Sequence, residues 1–173
     1  MWGRKVYNKG QDMLKIMRRN DKEITDKEAL FAIIDQSPYV TMAFSGAAPY
    51  AVPLDFSRLA DHIYVHCAKE GRKIDLIREN NLVFLLFVNY DGIFCHTPGV
   101  ACGLSTKFTS VMASGEAFLV EDLTEKAQAF AAMLAKHKSE PLPIPPKALE
   151  KTFMFKVKIL DMSGKQNPAQ VKA

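Results

Sequence analysis

The run LVFLLFV at residues 82–88 constrains the fold of this chain more than any other stretch. Seven residues are far too few to cross a bilayer as a helix. Their Val, Leu and Phe content suits a strand covered on both faces, and a small domain has little material for such cover. Five further strand-like runs surround it. They are YVTMAFS (39–45), YAVPLDFS (50–57), HIYVHC (62–67), KFTSVMASGEAFLV (107–120) and TFMFKVKILDM (152–162). The last alternates cleanly: Phe153, Phe155, Val157 and Ile159 face one way, Lys156 and Lys158 the other.

The intervening segments place the helices. Thr25-Asp26-Lys27-Glu28 matches a capping box ahead of ALFAIID, and Ser37-Pro38 ends that helix. Residues 122–138 form a second, Ala-rich helix, and the Pro-rich stretch SEPLPIPPK cannot be helical throughout. A four-residue turn at 46–49 joins the first two strands, the Gly- and Pro-punctuated segment 91–103 reads as a loop, and Gly115 bends or bulges its strand. Six strands in mostly sequential hairpins, with inserted helices, predict a small antiparallel barrel rather than a parallel sheet. Pro53 has no amide donor, which puts it at a sheet edge, at a bulge, or where a ligand replaces a neighbouring strand.

At 173 residues the chain is one domain in size, and its 48% apolar and 24% charged content is that of an ordinary globular protein. The net charge of +4 is uneven: Arg4, Lys5, Lys9 and Lys15 against Asp12 leave +3 on the first sixteen residues. We therefore expect a basic extension at 1–16, a folded unit at 17–165 and a tail at 166–173. No basic, aromatic-interleaved stripe continues into the body, so nucleic acid is not an expected partner. No signal peptide or membrane span is evident, and three cysteines (Cys67, Cys95, Cys102) are most simply free thiols in a reducing cytoplasm.

Most site motifs are missing. The nine glycines never give G-x-G, so neither a dinucleotide fingerprint nor a phosphate loop is present. Cys95-His96 and Cys102 lack standard zinc spacing, and nothing resembles a nucleophile elbow. What stands out is AKEGRKIDLIREN at 68–80, a strand end that feeds a helix. Lys69, Arg72 and Lys73 crowd a helix start that already carries about half a positive charge. The bland reading is a solvated helix end. The alternative is an anion site, in which backbone amides behind Gly71 and the Arg72 fork receive a phosphate.

The segments MRRNDKEITD, PYAVPLDF, YVHCAKEGRKIDLIREN and TSVMASGEAFLVED occur in this order. Together they closely resemble the nitroimidazole-reductase (Nim) branch of the pyridoxamine 5'-phosphate oxidase-like, FMN-binding split β-barrels, from about Met17 to Lys165. The resemblance implies a six-stranded antiparallel split barrel, mostly β with inserted helices. It further implies a homodimer with FMN at the interface. By motif match, Val52, Pro53, Leu54 and Asp55 would lie along the isoalloxazine, with Asp55 in place of the Asn common there. His66, Cys67 and Ala68 would sit beside the flavin, Lys69, Arg72 and Lys73 would hold its phosphate, and Ser110 would contact it from the long strand. His66 is the candidate for a group facing a small-molecule substrate, and a hydrogen-bonded strand-end histidine is the competing reading. The function implied is an oxidoreductase that passes electrons from a reduced nucleotide or other donor to a nitroaromatic or similar acceptor. A flavin- or haem-binding module without turnover is the alternative.

Overall fold

The computed structural model describes residues 17–137, 140 and 142–168, so the basic extension at 1–16 and most of the tail lie outside the described residues. In chain order the elements are β1 (Glu23–Ile24), α1 (Lys27–Gln36), β2 (Val40–Phe44), β3 (Tyr50–Leu54), β4 (Ser57–Leu59) and β5 (His62–Cys67). They continue with α2 (Arg72–Glu79), β6 (Leu82–Cys95), β7 (Leu104–Leu119), α3 (Leu123–Lys136), α4 (Pro146–Lys151) and β8 (Phe153–Asn167).

All pairing is antiparallel, in one sheet of order β3-β2-β6-β7-β8-β5-β4 with β1 added beside β8. The expectation of six strands is therefore corrected to eight. The two added strands, β1 and β4, are only two and three residues long, too short to leave an alternating pattern in sequence. β3 and β4 are opposite edges of the sheet, yet only Asp55 and Phe56 separate them in the chain. Three Cα steps reach at most about 11 Å, whereas seven flat strands would span roughly 29 Å. The sheet must curl so that the end of β3 and the start of β4 come within that reach, and no pairing joins these two edge strands.

Alternating residues fill the inside of the curl: Val40, Met42 and Phe44 of β2, Val83, Leu85 and Phe87 of β6, Val111 and Ala113 of β7, and Ile63 and Val65 of β5. Leu30, Phe31, Ile33 and Ile34 of α1 join this cluster, and Asn89 Nδ2 donates to the Ile33 carbonyl at 2.9 Å. A second, smaller cluster of Tyr64, Met154, Val120 and Ala129 lies where α3 covers β5 and β8.

Four further local expectations are corrected. The α1 cap is Asp26, which accepts from the Ala29 amide at 2.8 Å, one residue later than the Thr25 box predicts. The β2–β3 turn spans five residues, 45–49. The segment 91–103 is not all loop: after a register shift between Tyr90 and Ile93, β6 pairs on to Cys95 opposite Leu104. β8 likewise runs past Met162 to Asn167. At Gly115 the expected irregularity is present, with Ser114 opposite Asp161 and Gly115 opposite Ile159, so that Leu160 is the extra residue. A Cβ at Gly115 would stand 2.5 Å from Val157 Cγ1 and 2.6 Å from the Lys158 carbonyl oxygen, which explains the glycine. No helix among the described residues is long and apolar enough to cross a membrane.

Candidate functional site

Two segments meet at one end of the curled sheet, the β5–α2 turn and the β3 edge. Gly71, at φ +117° and ψ 165°, turns the chain between β5 and α2 and begins the helix. The first amides bonded inside α2 are those of Ile74 and Asp75, both to the Gly71 carbonyl. The amides before them point out of the helix start, which has no side-chain cap. α1 and α3, by contrast, each begin under an aspartate cap. Ile74 is buried beneath the turn, and Leu76 packs against Gly46 of the β2–β3 hairpin. The Arg72 guanidinium lies 4.6 Å from the Tyr50 ring centroid, which docks the cationic end of α2 beside the start of β3. Tyr50 is the second residue of the PYAVPLDF motif, but nothing in the sequence pairs it with Arg72.

Along β3 the side chains divide. Val52 and Leu54 pack against the interior cluster, while Ala51 and Pro53 are exposed. Because β3 is an edge strand, its outer side offers backbone rather than Val52 or Leu54 side chains. Pro53 is thus at an edge, as its missing donor requires. Just beyond the strand, Asp55 Oδ1 accepts from the Phe56 amide and contacts His137 Nε2, each at 2.9 Å. Neighbouring Lys136 lies over the Phe56 ring, 3.3 Å from its centroid, and donates to the Phe56 carbonyl at 3.3 Å. Burial pushes the Lys136 ammonium down to about 8, against the pull of Asp55 and Asp35. The sequence did not indicate His137, which stands 82 residues from its partner.

At the end of β5 the strand separates two candidates. Cys67 is half-buried against the interior, and its thiol is pushed up by burial, with Lys73 drawing it partly back. His66 is exposed on the opposite side, its ring 5.3 Å from that of Phe130 on α3. One planar ligand cannot meet both side chains on the same face of the strand. Ala68 and Lys69 are exposed in the turn, and Lys73 is half-buried. Ser110 lies on β7, opposite Val88 and Lys165 and three strands from β3. Within one chain the structure joins the cationic turn to β3 and leaves Ser110 apart. Cys95 and Cys102 are exposed at the far end of the β6–β7 hairpin, and among the described residues no three His, Cys, Asp or Glu side chains gather as a metal site.

The arrangement fits a phosphorylated planar cofactor. Outward amides at an uncapped helix start, with Arg72, Lys69 and Lys73 around them, complement a dianion, and the free β3 edge complements a flat ring with polar edges.

A family model described as pyridoxamine 5'-phosphate oxidase matches residues 26–166. Among solved structures, a candidate 5-nitroimidazole antibiotic resistance protein from Bacteroides thetaiotaomicron VPI-5482 is 27% identical, with a TM-score of 0.72 over 83% of this chain and 85% of that one. The flavocytochrome Anf3 from Azotobacter vinelandii is 23% identical, with a TM-score of 0.74 over 94% of this chain and 78% of the other. A protein from Mycobacterium smegmatis that binds FAD and haem is 19% identical, with a TM-score of 0.71 over 88% and 77%. No curated protein sequence matches significantly.

Proposed function

The chain belongs to the pyridoxamine 5'-phosphate oxidase family, and from that premise we propose that it is an FMN-binding oxidoreductase of the nitroimidazole-reductase type, a homodimeric split barrel. The observation that carries the FMN reading is the uncapped, cationic start of α2 behind Gly71, docked through Arg72 on Tyr50 at the β3 edge. Arg72, Lys69 and Lys73 hold the phosphate, and the backbone of residues 52–55 borders the ring. Bound flavin supplies the electron-carrying chemistry, while this chain binds and orients it. A reduced nucleotide or other donor supplies the electrons and a small acceptor such as a nitroaromatic takes them, with exposed His66 as the group that meets it. The Bacteroides protein's link to 5-nitroimidazole resistance favours that acceptor class. The fold is shared with a flavocytochrome and with a protein that binds FAD and haem, so the visible spectrum of purified protein separates flavin from haem.

The test is a double substitution. Charge-assisted hydrogen bonds contribute about 1.5–3 kcal/mol each, so R72A/K73A weakens FMN by roughly two to four orders of magnitude. Contact between the two groups favours the lower end. Riboflavin, which lacks the phosphate, is nearly indifferent to the change. Four dissociation constants at fixed salt decide: equal sensitivity of both ligands, or none in either, removes the phosphate from this turn.

A further inference from the structure

We propose that Asp55 and His137 form a proton-linked pair that sets the electron affinity of the flavin bound along β3. This rests on the flavin reading above and adds a device that regulates the same site. The two residues come from distant elements, yet they meet at 2.9 Å immediately beyond the strand that borders the ring. Both contacts to the carboxylate fall on Oδ1, from His137 Nε2 and from the Phe56 amide. Nε2 carries its hydrogen toward Asp55, so Nδ1 is the atom that takes up or releases a proton.

A bare carboxylate beside a flavin opposes the negative charge that reduction brings. Protonated His137 cancels that carboxylate and favours the reduced form. A reductant such as dithionite would supply two electrons, and a bound flavin would take one proton from solvent to reach its anionic reduced form. The remaining negative charge would favour a second proton from solvent on His137 Nδ1 while Nε2 keeps its own. Among the described residues, the other charged groups nearby are Lys136, the last residue of α3, Asp35 of α1 and Arg58 of β4. Arg58 is tied to Asp35 through both carboxylate oxygens, and Lys136 contacts carbonyls and the Phe56 ring. His137 and Asp55 side chains are 50% and 39% exposed, so solvent can supply the proton and substitutions there spare the core.

The experiment titrates FMN-loaded protein with dithionite against a reference dye between pH 5 and 8, where imidazole changes charge. One charge gained or lost near the ring shifts the reduction equilibrium by about tenfold, some 30 mV for a two-electron couple. H137Q lowers the midpoint potential at pH 6 by that amount and loses the excess proton uptake. D55N raises it. H137K keeps the potential of the unaltered protein but flattens its pH dependence. Equal potentials in all four proteins overturn the proposal, even if thermal midpoints fall, because a purely structural pair would move stability alone. If FMN fails to bind the unaltered protein, the flavin reading itself falls and this one with it. If FMN binds and responds to R72A/K73A while the potentials coincide, only the pair is refuted.

Discussion

Gly71 combines φ +117° with ψ 165°, a region open to glycine and closed to residues with a Cβ. Nothing lies within 4 Å of where that Cβ would be, so the glycine is required by the backbone and not by crowding. G71A therefore costs about 1–3 kcal/mol through strain alone. The strain sits at the turn proposed to hold the phosphate, so FMN affinity should fall further than the urea midpoint implies. A variant with native stability and native affinity would show that the turn tolerates a Cβ. Gly71 was legible in sequence because glycine between a β-branched strand and an amphipathic helix has a local meaning. The Asp55–His137 contact had no such signal, since nothing local joins residues so far apart. His66 and Cys67 were adjacent in the motif, but strand alternation sends one outward and the other toward the core.

Between elements, the sequence marked where pairing begins better than where it ends. Asp91-Gly92 resembles a turn, and Gly92 does take φ +97°, but the β6–β7 ladder resumes after the irregularity. A turn signal inside a long hairpin can mark a bulge as readily as a reversal. Polar contacts between elements were equally hidden. Glu125 of α3 accepts from the Tyr64 hydroxyl of β5 and from Lys156 Nζ of β8, both at 2.7 Å on Oε1. The Lys156 ammonium first, and the Tyr64 hydroxyl with it, holds the Glu125 carboxyl below its ordinary 4.5, against the effect of burial. A carboxylate whose folded pKa is depressed stabilises the fold above its unfolded value. That contribution is lost as pH falls below 4.5 and through the folded value. The urea midpoint should therefore drop between pH 6 and 3, and E125Q should drop less over the same range. Parallel curves for the two proteins would remove Glu125 from the acid response. Tyr64 shares the same carboxylate, and burial together with that acceptor raises its phenol well above the usual range.

At the scale of the molecule, the curl of the sheet decides which strands have one bare face. The register aligns Pro53, Thr41, Leu86 and Met112 in one row across β3, β2, β6 and β7, with Val88 and Ser110 paired beside it. These residues alternate with the buried Val40, Leu85, Phe87 and Val111, so they point away from the core. Leu86 and Met112 are only half-covered, and Val88 is 43% exposed. The outward side of the run at 82–88 is thus apolar and only partly covered among the described residues. Ser110 lies on this row's flank while the cationic turn lies by β3, so in the homodimer proposed above a second copy across this face would bring the two to one site. L86E puts a charge at the middle of that face without touching the core cluster. Its expected outcome is coupled: sedimentation at micromolar concentration shows a monomer, and FMN affinity falls with the dimer although Arg72 and Lys73 are intact. A monomeric L86E that still binds FMN at full affinity would assign the whole cofactor site to one chain. An L86E that remains dimeric would move the interface to another face of the sheet.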